Sequence, residues 1–344
     1  MLTRRKHSFK VTMVNTRIFS PMTEGNGAIV AHRYLESAIP GYVVKGIKPV
    51  FSLCGPALRT VSIPGTTRLI HSVPDLACFF QRRGLPSVVS FQNYVLDSAM
   101  ARCSSALQRT YYRTALRAYH SRSVRGADVL TAVSQFTADI ARRDLAIDKT
   151  IEVIHNCVDH RMFTPAAQRP RGPRLRVLFS GNPTMRKGFQ YLPAIAQGLP
   201  ENAELLIASG LRGDRSGQMT PPEILNLGPV PFAEMPELYR SVDLCIAPFF
   251  REGLCLSVLE AMSSGLPVVA FDASSMPELV VHGKGGYLTP IGDVPAMLAA
   301  IGRFCAQPSL LDSMGDYNRE LIEAKFTLEN MRSGYRQVFD RLLV

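Results

Sequence analysis

Short apolar runs alternate along the whole chain with longer stretches in which apolar positions recur every three to four residues. The runs have the length of buried strands, and the stretches have the spacing of helices packed on a sheet. The predicted strands cover residues 9–15, 87–91, 129–133, 151–154, 175–180, 203–208, 244–247 and 267–271. Such alternation is typical of doubly wound α/β domains, in which helices cover both faces of a parallel sheet.

Three helices can be placed from their spacing and end signals. One covers 28–37, after a loop that contains Gly25, Asn26 and Gly27. A second covers 256–264 and is ended by a glycine at position 265, with a proline soon after it. The third is an amphipathic segment over 328–343.

The length of 344 residues predicts two domains with separate cores. The Pro- and Arg-rich segment 165–173 has the composition of a linker, and a new strand begins directly after it. We therefore predict a first domain over 1–168 and a second over 174–327.

Composition narrows the class of protein. No run of eighteen apolar residues predicts a membrane-spanning helix, and the basic N-terminus lacks the apolar core of a signal peptide. The seven cysteines are dispersed and form no Cys-x-x-Cys pair, which favours reduced thiols over a zinc site. A cytoplasmic protein is expected.

The net charge of +11 is concentrated in the first half of the chain. Residues 1–170 hold 23 basic and 10 acidic side chains, a balance of +13, and the remainder holds 16 and 18, a balance of −2. Arg109, Arg113 and Arg117 follow an i, i+4, i+8 spacing that places them on one helical face. This face indicates either an anionic partner, such as the inner membrane surface or a phosphorylated acceptor, or a solvated surface. No nucleic-acid-binding motif is present, so no nucleic acid is expected.

Two glutamates, Glu252 and Glu260, carry the clearest chemical signal. Glu252 lies in a glycine-containing turn, and Glu260 lies on the helix that follows it. A helix that starts after such a turn directs unpaired N–H groups and a positive dipole end into it, which suits a phosphate. Two carboxylates beside this anion cradle suit a ligand with a sugar, a diphosphate and a ribose in a row.

A second loop supports the same site. Gly181 follows the first strand of the second domain and allows a ligand to approach the backbone, while Lys187, with or without Arg186, neutralises a diphosphate. In open α/β sheets both loops fall at the carboxyl ends of the strands, where ligands bind. The loop over 25–27 lacks the third glycine of a dinucleotide fingerprint, so it is either a flexible loop or a lid over the donor. No metal-ligand cluster is present, and the histidines are interpreted as structural.

The segment 252–270 closely resembles the signature of the family-4 retaining glycosyltransferases, Glu-Gly-Phe-Gly-x-x-x-x-Glu-Ala-Met. Further segments resemble the family in order and spacing, so that the resemblance covers nearly the whole chain. They are 126–136, 153–165, 227–231, 238–243, 277–278 and 285–288.

The resemblance implies the GT-B fold, in which two Rossmann-like domains face a central cleft. It implies that the second domain binds the donor and the first the acceptor, and that a last helix, 328–344, packs back on the first domain. The residue roles it implies are ribose binding by Glu260, sugar and phosphate binding by Glu252, Gly253, Leu254 and Cys255, diphosphate binding by Lys187 and the helix start at Leu256, and base recognition near Val230.

Three positions of the family pattern are occupied by other residues here. Asn182 stands where the family has a phosphate-binding arginine, and Arg186 is the candidate substitute. Cys255 replaces the second glycine of the signature, so its backbone must suit a side chain. Gln92 or Asn93 occupies the place of a histidine that touches the donor sugar.

The expected function is a retaining transfer of a hexose from a nucleotide diphosphate sugar. The acceptor is expected to be a hydroxyl of a glycan or a lipid-linked molecule in cell-envelope or exopolysaccharide biosynthesis, with no metal or other cofactor. Three alternatives stay open: a sugar-nucleotide-binding subunit without catalysis, an epimerase or phosphorylase on the same fold, and a structural α/β protein that binds no nucleotide. Donor turnover and transfer to an acceptor discriminate among them.

Overall fold

The computed structural model describes residues 17–52, 55–167, 172–209 and 224–343. Its first half forms a six-stranded parallel sheet in the order β2-β1-β3-β4-β5-β6. The strands are β1 (Ile18–Thr23), β2 (Tyr42–Ile47), β3 (Leu69–Ser72), β4 (Ser87–Phe91), β5 (Val129–Ala132) and β6 (Ile151–Val153).

The second half forms another six-stranded parallel sheet, in the order β12-β11-β10-β7-β8-β9. Its strands are β7 (Leu175–Ser180), β8 (Ala203–Ser209), β9 (Ile224–Pro229), β10 (Leu244–Ala247), β11 (Val268–Phe271) and β12 (Gly286–Thr289). The doubly wound α/β class expected from the sequence is confirmed.

Helices connect successive strands. The α-helices of the first half are α1 (Gly27–Ala38), α2 (Pro49–Ser52), α3 (Pro74–Phe80), α4 (Ala106–Tyr111), α5 (Arg117–Arg125) and α6 (Gln135–Leu145). Those of the second half are α7 (Leu192–Gly198), α8 (Met235–Arg240), α9 (Leu256–Ser263), α10 (Met276–Leu279), α11 (Val294–Ala306), α12 (Ser309–Lys325) and α13 (Leu328–Leu342). Short 3₁₀ turns cover Gly55–Thr60, Ser98–Cys103, Met185–Lys187, Phe189–Tyr191 and Phe232–Glu234.

The apolar pattern located seven of the eight predicted strands to within one or two residues, and the eighth, over 9–15, lies outside the described residues. The pattern missed five strands of the structure: β1, β2, β3, β9 and β12. β2 is an edge strand with an exposed lysine and a glycine in its centre, and β3 is four residues long with a buried histidine and serine. Neither strand shows the continuous apolar run that marks a central parallel strand.

A π-helical turn interrupts the helix that carries the predicted arginine face of the first domain. This turn covers Tyr112–Leu116, lies between α4 and α5 and shifts the i+4 spacing. Arg117 turns to Asp144, with 2.8 Å between its Nη1 and the carboxylate Oδ2. Arg109 and Arg113 stay exposed.

The last helix, α13, packs on the first sheet. Tyr335 and Phe339 of α13 share a buried apolar cluster with Ile18 of β1 and Leu35 of α1. The Tyr335 hydroxyl also lies 3.2 Å from the buried Ser90 Oγ of β4. The chain therefore crosses the second sheet and returns to the first, as the resemblance implied.

The strand order of the second sheet fixes where a ligand can bind. β7 and β10 are neighbours at the centre of the sheet, but their connections leave in opposite directions. The loops after these strands, 181–187 and 248–255, therefore border a crevice at the carboxyl edge. The loop after β4, at 92–97, faces this crevice from the first domain.

Candidate functional site

The start of α9 forms the floor of the crevice. Cys255 is the N-cap residue, with φ −82° and ψ 108°, and no side chain caps the first backbone N–H groups. These torsions are ordinary for a residue with a side chain, which explains how cysteine replaces the glycine of the signature. At the other end Gly265, with φ 70°, closes the helix through hydrogen bonds from its own N–H and that of Leu266. The free end of α9 therefore points into the crevice.

Glu252 is held in front of this helix by charged and polar neighbours. Its Oε1 lies 2.8 Å from Nη1 of Arg186 and 3.8 Å from Nζ of Lys187. Its backbone N–H donates to the Ser274 Oγ at 3.2 Å. Ser274 has a φ of 50°, in the left-handed region that is unfavourable for most side chains. No local sequence pattern predicts the role of this serine, because its torsion depends on the surrounding loop.

Arg186 is engaged with the loop that carries Glu252. Its Nη1 also donates to the Arg251 carbonyl at 2.9 Å, and its own carbonyl accepts from the Phe250 N–H at 2.9 Å. Burial would lower the pKa of Arg186, but the Glu252 carboxylate outweighs burial and raises it. The structure thus brings Arg186 to Glu252, and its role as a substitute for the family's phosphate-binding arginine stays a prediction.

Lys187 reaches the crevice through a tight turn. Gly188 has a φ of 69°, and a Cβ there would lie 1.9 Å from the Pro248 carbonyl oxygen, so only glycine fits. The lysine side chain then crosses Gly181, where an added Cβ would lie 2.8 Å from the lysine Cδ. Nζ lies 4.9 Å from the Phe249 ring centroid. The distance of 3.8 Å to Glu252 exceeds a normal hydrogen bond, which leaves the ammonium donors free for a phosphate.

Asn182 lies next to Gly181 and has a side-chain oxygen that can accept a hydrogen bond from a ligand. Its backbone carbonyl accepts from the Thr184 N–H at 2.8 Å, but its side-chain Oδ1 is buried without a hydrogen-bond partner among the described residues. Buried acceptors are rarely left unpaired, so this oxygen is a natural contact for a ligand hydroxyl. A neutral amide here cannot supply the charge of the arginine that it replaces.

Glu260 lies on the second turn of α9 and is held by a residue that the sequence did not single out. The hydroxyl of the fully buried Tyr239 donates to the Glu260 Oε2 at 3.0 Å. Burial raises the pKa of Glu260 to about 7, while the Tyr239 hydroxyl and the charge of Lys187 act in the opposite direction. Ligand hydroxyl groups that donate hydrogen bonds to this enclosed carboxylate would stabilise its charged form.

The raised pKa of Glu260 predicts a pH-dependent stability difference. The folded-state pKa of about 7 lies above the ordinary value of 4.5, so the wild type loses stability as the pH rises from 4.5 through 7. We expect Glu260→Gln to raise Tm at pH 8 by roughly 2–4 °C, and to change it little at pH 4.5. Thermal unfolding across this range, with the exposed Glu201→Gln as control, measures the effect. A difference that does not vary with pH would contradict the assignment.

The first domain contacts the signature loop at Gly253. A Cβ on Gly253 would lie 2.2 Å from the Gln92 carbonyl oxygen and 3.1 Å from the Asn93 Cα. The Gly253 carbonyl accepts from the buried Ser134 Oγ at 2.7 Å. The Gln92 Oε1 accepts from the Asn156 Nδ2 at 3.0 Å. Both candidate sugar-binding residues therefore lie directly against the donor loop.

The carboxylate of Glu278, outside the donor site, forms hydrogen bonds between the two domains. Glu278 accepts from the backbone N–H groups of Gln135 and Phe136, each at 2.8 Å, at the start of α6. Burial would raise the pKa of Glu278, but His155, whose Nε2 lies 3.7 Å from Oε2, and the hydrogen bonds from these two amides lower it overall. Arg251 pairs across the same cleft with Asp97. These contacts hold the loop with Glu252 against the first domain.

The glycine-containing loop faces the start of α9 from the first domain. The Asn26 Oδ1 accepts from the Ile29 N–H at 3.1 Å and caps α1, which gives this residue a structural role. Gly25 has a φ of 75°, and a Cβ on Gly27 would lie 3.8 Å from the Leu256 Cδ1. The loop therefore stands in the position expected of a lid.

Two other residues predicted to contact the nucleotide pack in or against the core of the second domain. Val230 follows β9 and packs against the core of the second domain, and Leu254 is buried in the same core. Neither arrangement tests the expected ligand contact, which stays a prediction. Among the described residues, no group of three His, Cys, Asp or Glu side chains has an arrangement suited to a metal ion.

Comparison with known proteins gives two family matches. Residues 174–307 match the model described as glycosyl transferases group 1, and residues 67–161 match the model described as glycosyltransferase family 4. The first contains all the donor-site residues that follow β7, and the second contains Gln92, Asn93 and the basic segment.

Curated relatives match over part of their length. The chain is 33% identical over 150 residues to the lipopolysaccharide core biosynthesis mannosyltransferase LpcC of Rhizobium leguminosarum bv. viciae, across 44% of this chain and 42% of that one. It is 29% identical over 227 residues to the GDP-mannose-dependent alpha-(1-6)-phosphatidylinositol monomannoside mannosyltransferase of Mycolicibacterium smegmatis, across 59% and 58%. The matches span about half the length of these relatives.

A solved structure matches over nearly the whole chain. Sucrose-phosphate synthase from Thermosynechococcus elongatus superposes with a TM-score of 0.81, covering 95% of this chain and 99% of that one at 17% identity. The GT-B fold expected from the sequence is confirmed.

Proposed function

Since the chain belongs to the family-4 glycosyltransferases, we propose that it transfers mannose from GDP-mannose to a hydroxyl of a cell-envelope glycan or lipid-linked acceptor. The two relatives described above are mannosyltransferases, and one is GDP-mannose-dependent by name. The observation that carries the proposal is the convergence of Glu252, Lys187, Glu260 and the free end of α9 on one crevice.

The donor would lie across the start of α9. Its diphosphate would face the backbone N–H groups after Cys255 and the ammonium of Lys187, and its ribose hydroxyls would donate to Glu260. Its hexose would lie near Glu252 and the unpaired Oδ1 of Asn182, below the first-domain loop. The ribose, diphosphate and hexose of the donor would thus match, in that order, Glu260, the start of α9 with Lys187, and Glu252.

Charge develops on the leaving phosphate when the bond to the sugar breaks. The end of α9 and Lys187 are fixed donors at this position, and fixed donors stabilise a developing charge without reorganisation. We propose that these groups meet the charge without a metal ion. We also propose retention of configuration, with a phosphate oxygen assisting deprotonation of the acceptor on the same face, as the family resemblance implies.

Nucleotide binding tests the donor assignment. A ligand at a hundred times its Kd stabilises a protein by about 2.7 kcal/mol, so GDP is expected to raise Tm clearly. We expect no such shift from UDP or ADP, and none from GDP with Glu260→Gln. A shift from UDP alone would contradict the mannose donor. A shift from GDP without turnover of GDP-mannose would indicate the binding subunit.

We further propose that the first domain approaches an anionic membrane surface. Arg109 and Arg113 are exposed, and Leu107, two residues before Arg109 in the sequence, is an exposed apolar residue with a relative exposure of 81%. In the described residues no single helix meets the length and composition of a membrane span; one pair, 294–306 with 309–342, meets them only across a bend of 108°.

Co-sedimentation with vesicles measures the membrane interaction. Each basic side chain near an anionic surface contributes about 1 kcal/mol, so the double variant Arg109→Glu and Arg113→Glu should bind phosphatidylglycerol vesicles at least tenfold more weakly. Lys284→Glu, an exposed site in the second domain, is the matched control. Equal binding to phosphatidylcholine vesicles would remove the proposal.

A further inference from the structure

A second polar cluster lies at the cleft edge of the first domain, outside the donor site. Asp75 lies three residues after the carboxyl end of β3, in the first turn of α3. Its side chain is 52% exposed, and its Oδ1 lies 2.7 Å from the Nε2 of His120. An ionised carboxylate only accepts hydrogen bonds, so the imidazole donates Nε2–H to it.

His120 is rigidly held. Its side chain is 1% exposed, and its ring centroid lies 6.4 Å from that of Phe91 and 6.1 Å from that of Tyr94. Phe91 ends β4, and the next two residues are Gln92 and Asn93, which touch the donor loop. The buried ring therefore fixes one carboxylate oxygen of Asp75 relative to the donor site and leaves the other side of the carboxylate open.

Two tyrosines lie within reach of the charge of this carboxylate. Tyr111 and Tyr112 are both partly buried, and their ring centroids lie 6.1 Å apart. Burial raises the pKa of Tyr111 to about 12, and the charge of Asp75 adds to it. Burial and Asp75 likewise raise the pKa of Tyr112, and the charge of Arg186 in the second domain opposes them. Tyr112 is therefore close enough to both Asp75 and Arg186 for their charges to act on it.

We propose that Asp75, held by His120 and with Tyr111 and Tyr112 nearby, binds the terminal neutral hexose of the acceptor. The proposal rests on the proposed function and names the acceptor site. An oriented carboxylate accepts hydrogen bonds from vicinal sugar hydroxyls, and partly exposed aromatic rings pack on sugar faces. The half-exposed negative charge also disfavours a phosphate at this point, which selects a neutral sugar here.

The alternative is a structural role for Asp75 at the start of α3, where an acidic residue favours the helix dipole. A structural role predicts changes in Tm but none in sugar affinity. Binding of methyl α-mannoside, methyl α-glucoside and methyl α-galactoside, measured by saturation-transfer NMR with GDP present, separates the two.

We expect the wild type to bind at least one of these glycosides, and Asp75→Asn to weaken that binding roughly 10- to 100-fold because a charge-assisted hydrogen bond is lost. The exposed Asp148→Asn is the matched control. His120→Ala should weaken binding similarly, and His120→Gln should restore it because its amide replaces the Nε2–H donor. The thermal shift by GDP should be unchanged in every variant.

Two results would overturn the proposal: a wild type that binds GDP but none of the glycosides, or an Asp75→Asn variant with unchanged glycoside affinity. If GDP does not raise the Tm of the wild type, the donor assignment is contradicted instead. The failure of the acceptor proposal and the failure of the proposed function are therefore distinguishable.

Discussion

Replacing Lys187 with alanine is expected to lower kcat for mannosyl transfer by about 10²- to 10³-fold, with little change in Tm. The lysine side chain is 16% exposed, and its Nζ lies 3.8 Å from the Glu252 Oε1 and 4.9 Å from the Phe249 ring centroid. Removing one fixed donor from a developing oxyanion has an effect of this size. GDP release from GDP-mannose in the presence of EDTA measures the loss without a contribution from added metal.

The controls separate charge from position. Lys284→Ala removes an exposed lysine of the second domain and should leave kcat unchanged. Lys187→Arg keeps the charge but not the compact ammonium that crosses Gly181, so we expect partial activity. Turnover by Lys187→Ala at the wild-type rate would contradict the role assigned to this residue.

Replacing Gly253 with alanine should lower kcat by about 10²-fold while GDP binding is retained. Gly253 is not among the glycines with positive φ, so alanine fits the local backbone. The added Cβ would, however, lie 2.2 Å from the Gln92 carbonyl oxygen in the other domain. Either the cleft widens or the loop with Glu252 moves, and a displacement of about 1 Å at a reacting centre has an effect of this size.

A glycine in open surroundings provides the comparison. Gly302 lies in α11 with nothing within 4 Å of an added Cβ. Gly302→Ala should therefore keep full activity and gain up to about 1 kcal/mol of stability from helix propensity. Steady-state kinetics of both variants decide the matter, since full activity of Gly253→Ala would show that contact with the first domain is not needed for turnover.

Local signals in the sequence were sufficient for most of the fold. The buried strands over 175–180 and 244–247 appear as continuous apolar runs, because both faces of a parallel sheet are covered. The helix after Cys255 and its closure by Gly265 follow from residues that are adjacent in sequence. The carboxylates at 252 and 260 were placed by the same short segment.

The partners of these residues depend on contacts between distant parts of the chain. Arg186, a candidate for the diphosphate, also lies 2.8 Å from a carboxylate 66 positions later in the sequence, and this pairing could not be predicted. Tyr239 reaches Glu260 from α8, and Glu278 caps α6 from the other domain. No periodicity or motif links such pairs.

The sequence by itself therefore determined the two parallel sheets, the signature segment and the kind of ligand that suits it. Only the tertiary structure decided that the pKa of Glu260 rises to about 7, that the Asn182 Oδ1 is left unpaired, and that Asp75 is joined to His120. Strands and helices follow from interactions a few residues apart, whereas burial, unpaired atoms and side-chain partners are set by the packing of segments that the chain brings together from far apart.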